Sequence, residues 1–208
     1  MPRLATYKDF CIDATNAPAL AAFWAPLLGW EAHPHDGGDA CLRHGEQVMA
    51  WVNQVPEPVM VKNRLHLDIN ASSLEPALDS GAVVVDDTQP WTVLRDPDGQ
   101  LFCVFLRGEP LERRRPYELV WDVTGGVDET RRLADWWAQV LGVQAQHRPE
   151  DSLLEDVPGS PFECFVFGPV PEPKTTKNRI HVDVMTDDLP GLLSAGAHRL
   201  RAKGDGGI

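Results

Sequence analysis

A basic residue, an imidazole and a carboxylate stand at alternate positions twice in this chain: Arg64, His66 and Asp68 in "KNRLHLDI", and Arg179, His181 and Asp183 in "KNRIHVDV". On an extended strand, alternation puts the three polar side chains on one face and Leu65, Leu67 and Ile69 on the other. Arginine is suited to holding a carboxylate, and histidine to acting as acid, base or metal ligand. The same row serves equally as an internal Arg–Asp network that fixes a sheet and happens to contain histidine. Both readings stand at this point. Cys103 has no base beside it in the sequence, so a buried, inert thiol is expected. His33 and His35 have the spacing of a metal pair but lie in the Gly-, Asp- and Pro-rich "EAHPHDGGDA", where exposed loop histidines are expected. "DPDG" (Asp96–Gly99) carries acidic oxygens, yet it is too short for a calcium loop and matches a type I turn. Phosphate-loop, dinucleotide and nucleophile-elbow signatures are absent.

The elements that must position these residues are themselves duplicated. "VPEPVMVKNRLHLDI" from Val55 aligns without a gap to "VPEPKTTKNRIHVDV" from Val170. "LAAFWAPLLGW" (Leu20–Trp30) matches "LADWWAQVLGV" (Leu133–Val143), and "SGA" at Ser80 meets "AGA" at Ala195. A period above 100 residues means duplicated domains rather than a solenoid, whose units run roughly 20–50 residues. The expected division is residues 1–107, a linker over 108–116, and residues 117–208. The second unit lacks counterparts of the strands "WTVLRD" and "LFCVFL". The three linker arginines read as solvated.

Each unit opens with a strand ("YKDFCID", "YELVWDV") followed by a helix. In the first, Asn16 is the cap, Pro18 lies in the first turn, and Phe23, Trp24, Leu27 and Leu28 form a stripe before Gly29. Pro26 should kink or tighten the last turn. In the second, Asp128 is the cap candidate; Leu133, Trp136, Trp137, Val140 and Leu141 form the stripe, and Gly142 ends it. Strands such as "QVMAWVNQV" and "FECFVF" follow, then the "RLHLDI" type of strand and a short helix over residues 74–80. This order gives an α+β fold of paired βαβββ modules.

Bulk properties exclude several function classes. With 208 residues, 43% hydrophobic and 24% charged, the chain is an ordinary globular one. A formal net charge of −12 argues against non-specific nucleic-acid binding. No apolar run is long enough to span a bilayer. Cys11, Cys41, Cys103 and Cys164 form no C-x-x-C pair and read as reduced thiols, so a cytoplasmic location is expected.

The combination of "FWAPLLGW", "KNRLHLDI" and "VLRDPDGQLFCVF" resembles the glyoxalase-like branch of the vicinal oxygen chelate superfamily, which includes glyoxalase I, extradiol dioxygenases and bleomycin-resistance proteins. The resemblance implies curved sheets of paired βαβββ modules cupping a pocket. Metal-using members of that superfamily carry His and Glu ligands on these strands. Here the final Glu position falls on Cys103, the opening-strand His position falls nearer Arg64 than His66, and the first strand offers Asp9, Cys11 and Asp13. In the second unit Glu118, Glu163 and His181 are the candidate ligands for a divalent metal (Zn, Ni, Mn or Fe). The pocket residues expected on this basis are Asp9, Cys11, Trp51, Arg64, His66, Asp68, Cys103, Arg179, His181 and Asp183. Trp51, Trp91, Phe102, Phe105, Phe165 and Phe167 divide between core and a stacking wall for a planar ligand. The leading expectation is a protein that binds a small organic molecule without a complete catalytic metal site. The alternatives are a metal-dependent lyase, isomerase or dioxygenase, and a purely structural module. A monomeric pseudo-dimer or a homodimer is expected.

Overall fold

The computed structural model describes residues 3–108, 111 and 115–200. Most of the expected linker, including Arg113 and Arg114, and the stretch 201–208 lie outside the described residues. The first module comprises β1 (Thr6–Ala14), α1 (Ala17–Leu28), β2 (Glu31–Pro34), β3 (Ala40–His44) and β4 (Gln47–Gln54). The second comprises β5 (Leu65–Ala71), α2 (Glu75–Asp79), β6 (Val83–Asp86), β7 (Thr92–Arg95) and β8 (Leu101–Leu106). The third comprises β9 (Pro116–Thr124), α3 (Val127–Leu141), β10 (Ala145–His147), β11 (Ser152–Glu155) and β12 (Cys164–Val170), and β13 (Ile180–Met185) with α4 (Leu189–Ser194) opens a fourth.

Local chemistry explains the helix limits. The Asn16 side chain accepts the Ala19 N–H at 3.2 Å, and Gly29 ends α1 in the left-handed region at φ 73°. Pro26 sits inside α1, which continues for two more residues. The cap of α3 differs from the sequence expectation. Gly126, extended through a positive φ that suits glycine, precedes the helix, and Asp128 instead lies in the first turn, where its charge complements the helix dipole.

Neither sheet follows the sequence repeats. The five-stranded sheet has the order β13-β1-β4-β3-β2, and the eight-stranded sheet β10-β11-β12-β9-β5-β8-β7-β6. The first module therefore joins the fourth through antiparallel β1–β13, and the second joins the third through antiparallel β5–β9. The architecture is mixed α+β, with two curved, unclosed sheets.

One apolar core serves both sheets. Leu65, Leu67 and Ile69 of β5 are at most 2% exposed, as the alternation requires, and Phe102, Phe165 and Phe167 are fully buried beside them. Trp24 of α1 meets Phe102 edge-on at 4.8 Å, and Phe10 of β1 meets Phe162 at 5.4 Å. Burial of these large side chains, at about 1.5–3 kcal/mol each, is the main force holding the exchanged modules together.

The repeated loops add a reciprocal clamp. Lys62 reaches Asp122 of the other repeat at 2.6 Å, and Lys177 reaches Asp13 at 2.9 Å. Arg64 lies 3.8 Å from Asp122 and 3.6 Å from Glu172, while Arg179 donates to the Glu57 carbonyl at 2.7 Å and pairs with Asp98 at 3.3 Å. The Lys and Arg of the doubled motif thus bind each repeat to the other. A cavity of about 610 Å³ opens between these loops, bordered by Asp13, Glu57, Met60, Asn63, Lys177 and Arg179.

Candidate functional site

Two polar clusters occupy related places on the two sheets. On the eight-stranded sheet, strand register aligns Cys164 (β12), Glu118 (β9), Asp68 (β5) and Cys103 (β8) in one row across the four central strands. His66, two residues before Asp68, turns its Nδ1 to the Asp68 carboxylate at 2.7 Å, and its Nε2 lies 3.8 Å from Asp122. Ligating atoms of His66, Asp68 and Cys103 all lie within 4.8 Å of one another. The Cys164 thiol donates to Glu118 at 3.6 Å.

The row is desolvated, and its proton affinities follow from that. Burial, reinforced by the Asp68 charge, holds the Glu118 carboxyl above its ordinary value. Burial and then the neighbouring carboxylates push both the Cys103 and Cys164 thiols well up, so neither is a ready thiolate nucleophile. Burial of His66 opposes its charged form, but the Asp68 and Asp122 carboxylates outweigh it and the net shift is upward. Tyr117 is pushed up to about 12 by burial and by Glu118.

An aromatic wall stands beside this row. Phe105, two residues along β8 from Cys103, lies 5.6 Å from Trp91 and 5.0 Å edge-on from Tyr117. The Arg107 guanidinium sits 5.4 Å above the Phe105 ring and donates to the Asn70 side-chain amide oxygen Oδ1 at 2.9 Å. Unlike the buried Phe102, these rings are partly open to solvent.

On the five-stranded sheet, Cys11 of β1 pairs with His181 of β13 and with Trp51 of β4, and Asp9 pairs with Asp183. Ligating atoms of Cys11, His181 and Asp183 also lie within 4.8 Å of one another. Here a cation stands at the edge of the cluster: the half-exposed Lys8 ammonium lies 3.1 Å from Asp9 and 3.6 Å from Asp183, and burial still holds the Asp9 carboxyl above its ordinary value. Burial and the Asp183 charge push Cys11 up to about 12.

The expected site residues separate into groups. His66, Asp68 and Cys103 come together, as do Cys11, His181 and Asp183, with Asp9 and Trp51 adjoining the second group. Arg64 and Arg179 turn to ion pairs between the repeats, with the buried carboxylates of Asp122 and Asp98, and Arg179 also borders the cavity between the repeated loops. The ligand trio Glu118, Glu163 and His181 is not gathered: His181 belongs to the five-stranded sheet, whereas Glu118 lies in the eight-stranded one and Glu163 donates its N–H to Tyr117 there. Cys103, read as lacking a neighbouring base, has Asp68 and His66 beside it across a strand boundary that sequence does not reveal. His33 is a strand residue opposite Cys41, and His35 packs on Trp51 with its Nε2 3.2 Å from the Cys41 sulfur. Sequence reasoning also gave Cys164 no place in a site; its position in a strand with Phe165 and Phe167 facing the core was the available signal.

The donor set of the eight-stranded cluster, imidazole nitrogen, carboxylate oxygen and thiol sulfur, fits a borderline divalent ion such as zinc, nickel or iron. Among the described residues no helix is long and apolar enough to cross a membrane.

A profile of the glyoxalase-like domain matches residues 9–105 and again 119–207. Two variants of glyoxalase I from Zea mays share the fold at TM-scores of 0.62 and 0.59, each 12% identical and spanning 92% of this chain and 79% and 78% of their own. A putative dioxygenase from Bacillus subtilis aligns at a TM-score of 0.51 and 9% identity, over 84% of this chain and 66% of that one. Curated proteins yield no match. At such identities the structural likeness concerns the fold alone. The doubled profile match covers most of the sequence, and the chain belongs to the glyoxalase-like domain family.

Proposed function

We propose that the chain binds a small planar organic molecule on the polar face of the eight-stranded sheet. The observation that carries this reading is the juxtaposition of a desolvated row, Asp68, Glu118, Cys103 and Cys164, with the half-open wall of Trp91, Phe105 and Tyr117. An apolar wall with a few convergent polar groups is the usual composition of a ligand site. The rings stack the ligand's plane. Glu118 and Asp68, facing each other across β9 and β5, offer carboxylate oxygens to hydrogen-bond donors on the ligand. Arg107, above Phe105, suits a carboxylate on the ligand. Thermal-shift screening followed by calorimetry with planar aromatic carboxylates tests this. Saturable binding weakened at least about tenfold by Phe105→Ala and by Asp68→Asn supports the proposal. Binding insensitive to both substitutions, or no binding across the panel, contradicts it.

A second reading is favoured by the proximity of His66, Asp68 and Cys103. These three, with Glu118 adjoining, are the residues that would hold a divalent ion, and the ion would supply Lewis-acid polarisation of a ligand oxygen. In that reading Asp68, hydrogen-bonded to His66, fixes the ring orientation, and the aromatic wall orients the ligand and excludes water. Metal analysis of protein purified without chelator, followed by add-back of Zn, Ni, Mn or Fe, distinguishes the two: stoichiometric metal lost in His66→Ala favours the second.

A further inference from the structure

We infer that the β2–β3 hairpin holds a thiophilic divalent ion such as zinc between Glu31, His33, His35 and Cys41. The site stands apart from the two clusters described above and does not rest on the proposed ligand. In "EAHPH" the acid and the two imidazoles occupy alternate positions, so an extended backbone sends Glu31, His33 and His35 to one face. Strand register sets Cys41 of β3 directly opposite His33, the middle of the three. Side chains so paired stand about 5 Å apart at Cβ, within reach of one shared ion.

The four groups already converge. His35 Nε2 lies 3.2 Å from Cys41 Sγ, and His33 Nε2 lies 3.5 Å from Glu31 Oε2. A tetrahedral zinc, with bonds of about 2.0–2.1 Å to nitrogen and about 2.3 Å to sulfur, holds two such ligand atoms about 3.6 Å apart. The His35–Cys41 pair therefore needs to open by only a few tenths of an ångström. His33 Nε2 is shielded from solvent and makes no hydrogen bond among the described residues, so it gives none up on ligation. The turn holds His35 in place: its N–H donates to the Asp39 carbonyl at 2.8 Å, Gly37 and Gly38 take φ of 94° and 97° at the tip, and its ring lies 4.9 Å from Trp51. Burial holds the Cys41 thiol above its ordinary value while the Arg43 guanidinium pulls it down, and a bound ion takes the proton's place on sulfur.

The hairpin itself does not call for these residues. In the other repeat, β10 and β11 form the equivalent hairpin, with Gln146 opposite Leu153 where His33 faces Cys41. β2 is the outermost strand of its sheet and both histidines are partly open to solvent, so an ion reaches them directly. Four protein ligands fill a tetrahedral ion and leave no position for a substrate, which makes this ion a staple for the edge hairpin rather than a reaction centre.

Titration of zinc chloride into reduced, chelator-treated protein labelled with ¹³C at cysteine Cβ tests the inference, because Cys41 and Cys103 report on the two sheets separately. The Cys41 resonance should move and saturate near one equivalent at about 100 µM protein. His33→Ala and His35→Ala should each weaken that response about 100-fold or more. Metal-free Cys11, Cys103 and Cys164 resonances that match the wild type show that each variant has folded. A Cys41 resonance unmoved by several equivalents of zinc overturns the inference, as does a movement that persists unweakened in either histidine variant.

Discussion

The two polar clusters share the equivalent pairs β1–β13 and β9–β5 yet differ in the charges and thiols placed beside their carboxylates. In the five-stranded sheet, Asp9 and Asp183 share the Lys8 ammonium. In the eight-stranded sheet, Glu118 and Asp68 face each other with Tyr117 where the other repeat has Lys8, and the nearby Lys62 is committed to Asp122. Lys8 supplies the first pair of carboxylates with a cation, although burial still holds Asp9 above its ordinary value; among the described residues the second pair has no such cation, its Glu118 carboxyl is raised likewise, and two thiols stand beside it. Duplication supplied the same scaffold twice, and the two networks differ in Lys8 beside Asp9 on one sheet and in Cys103 and Cys164 beside Asp68 and Glu118 on the other.

The largest expected effect tests that contrast directly. Zinc or nickel added to chelator-treated protein should bind the eight-stranded cluster, and Cys103→Ser or His66→Ala should lower the affinity roughly 10–100-fold in equilibrium dialysis, while Cys11→Ser leaves it unchanged. Equal sensitivity to both cysteines would erase the distinction.

Next in size is the β7–β8 turn, which among the described residues has no counterpart beside β13. Asp96 accepts the N–H groups of Asp98 and Gln100 at 3.0 and 2.9 Å through one oxygen, and burial pushes its carboxyl up to about 6. A folded-state value raised above the unfolded one means stability present at low pH and lost as pH rises through about 6. Asp96→Asn keeps an oxygen for the Asp98 and Gln100 N–H groups and should flatten the fall in stability between about pH 4 and 8, as read by urea denaturation.

Lys8→Met should make the five-stranded cluster resemble the other. Because Lys8 is 43% exposed, solvent screening limits the loss of stability to about 0.5–1 kcal/mol. The more telling result is a gain of divalent-ion binding that Asp183→Asn removes.

The smallest effect concerns His66. Its folded-state value is raised, so the His66–Asp68 contribution is full below about pH 6.5 and declines as pH climbs through the raised value. His66→Gln should flatten that part of the stability profile between pH 6 and 8, measured by thermal melts.

How much of this was readable beforehand follows from the range of each interaction. Alternation around Leu65, Leu67 and Ile69 and the caps at Asn16, Gly29 and Gly142 are local, and they fixed element type and the duplicated module. Strand pairing is decided by contacts far apart in sequence. Nothing near β5 indicates that it joins β9 rather than a strand of its own repeat, so the exchange of modules was not legible. The same exchange explains the partners of the two arginines: Arg64 and Arg179 find Asp122, Asp98 and Glu57 only once the repeats cross. Cys103 and Cys164 acquire significance only when register aligns them with Asp68 and Glu118.

The central claim is that the eight-stranded cluster, not its counterpart, receives the ligand, and the four cysteines report on it directly. Cys103 and Cys164 lie in the eight-stranded row, and Cys11 and Cys41 on the five-stranded sheet, all as free thiols. In protein labelled with ¹³C at cysteine Cβ, titration with a planar aromatic carboxylate from the screen should move the Cys103 and Cys164 resonances saturably and leave Cys11 and Cys41 in place. Movement of Cys11 or Cys41 with Cys103 and Cys164 unchanged would contradict the account.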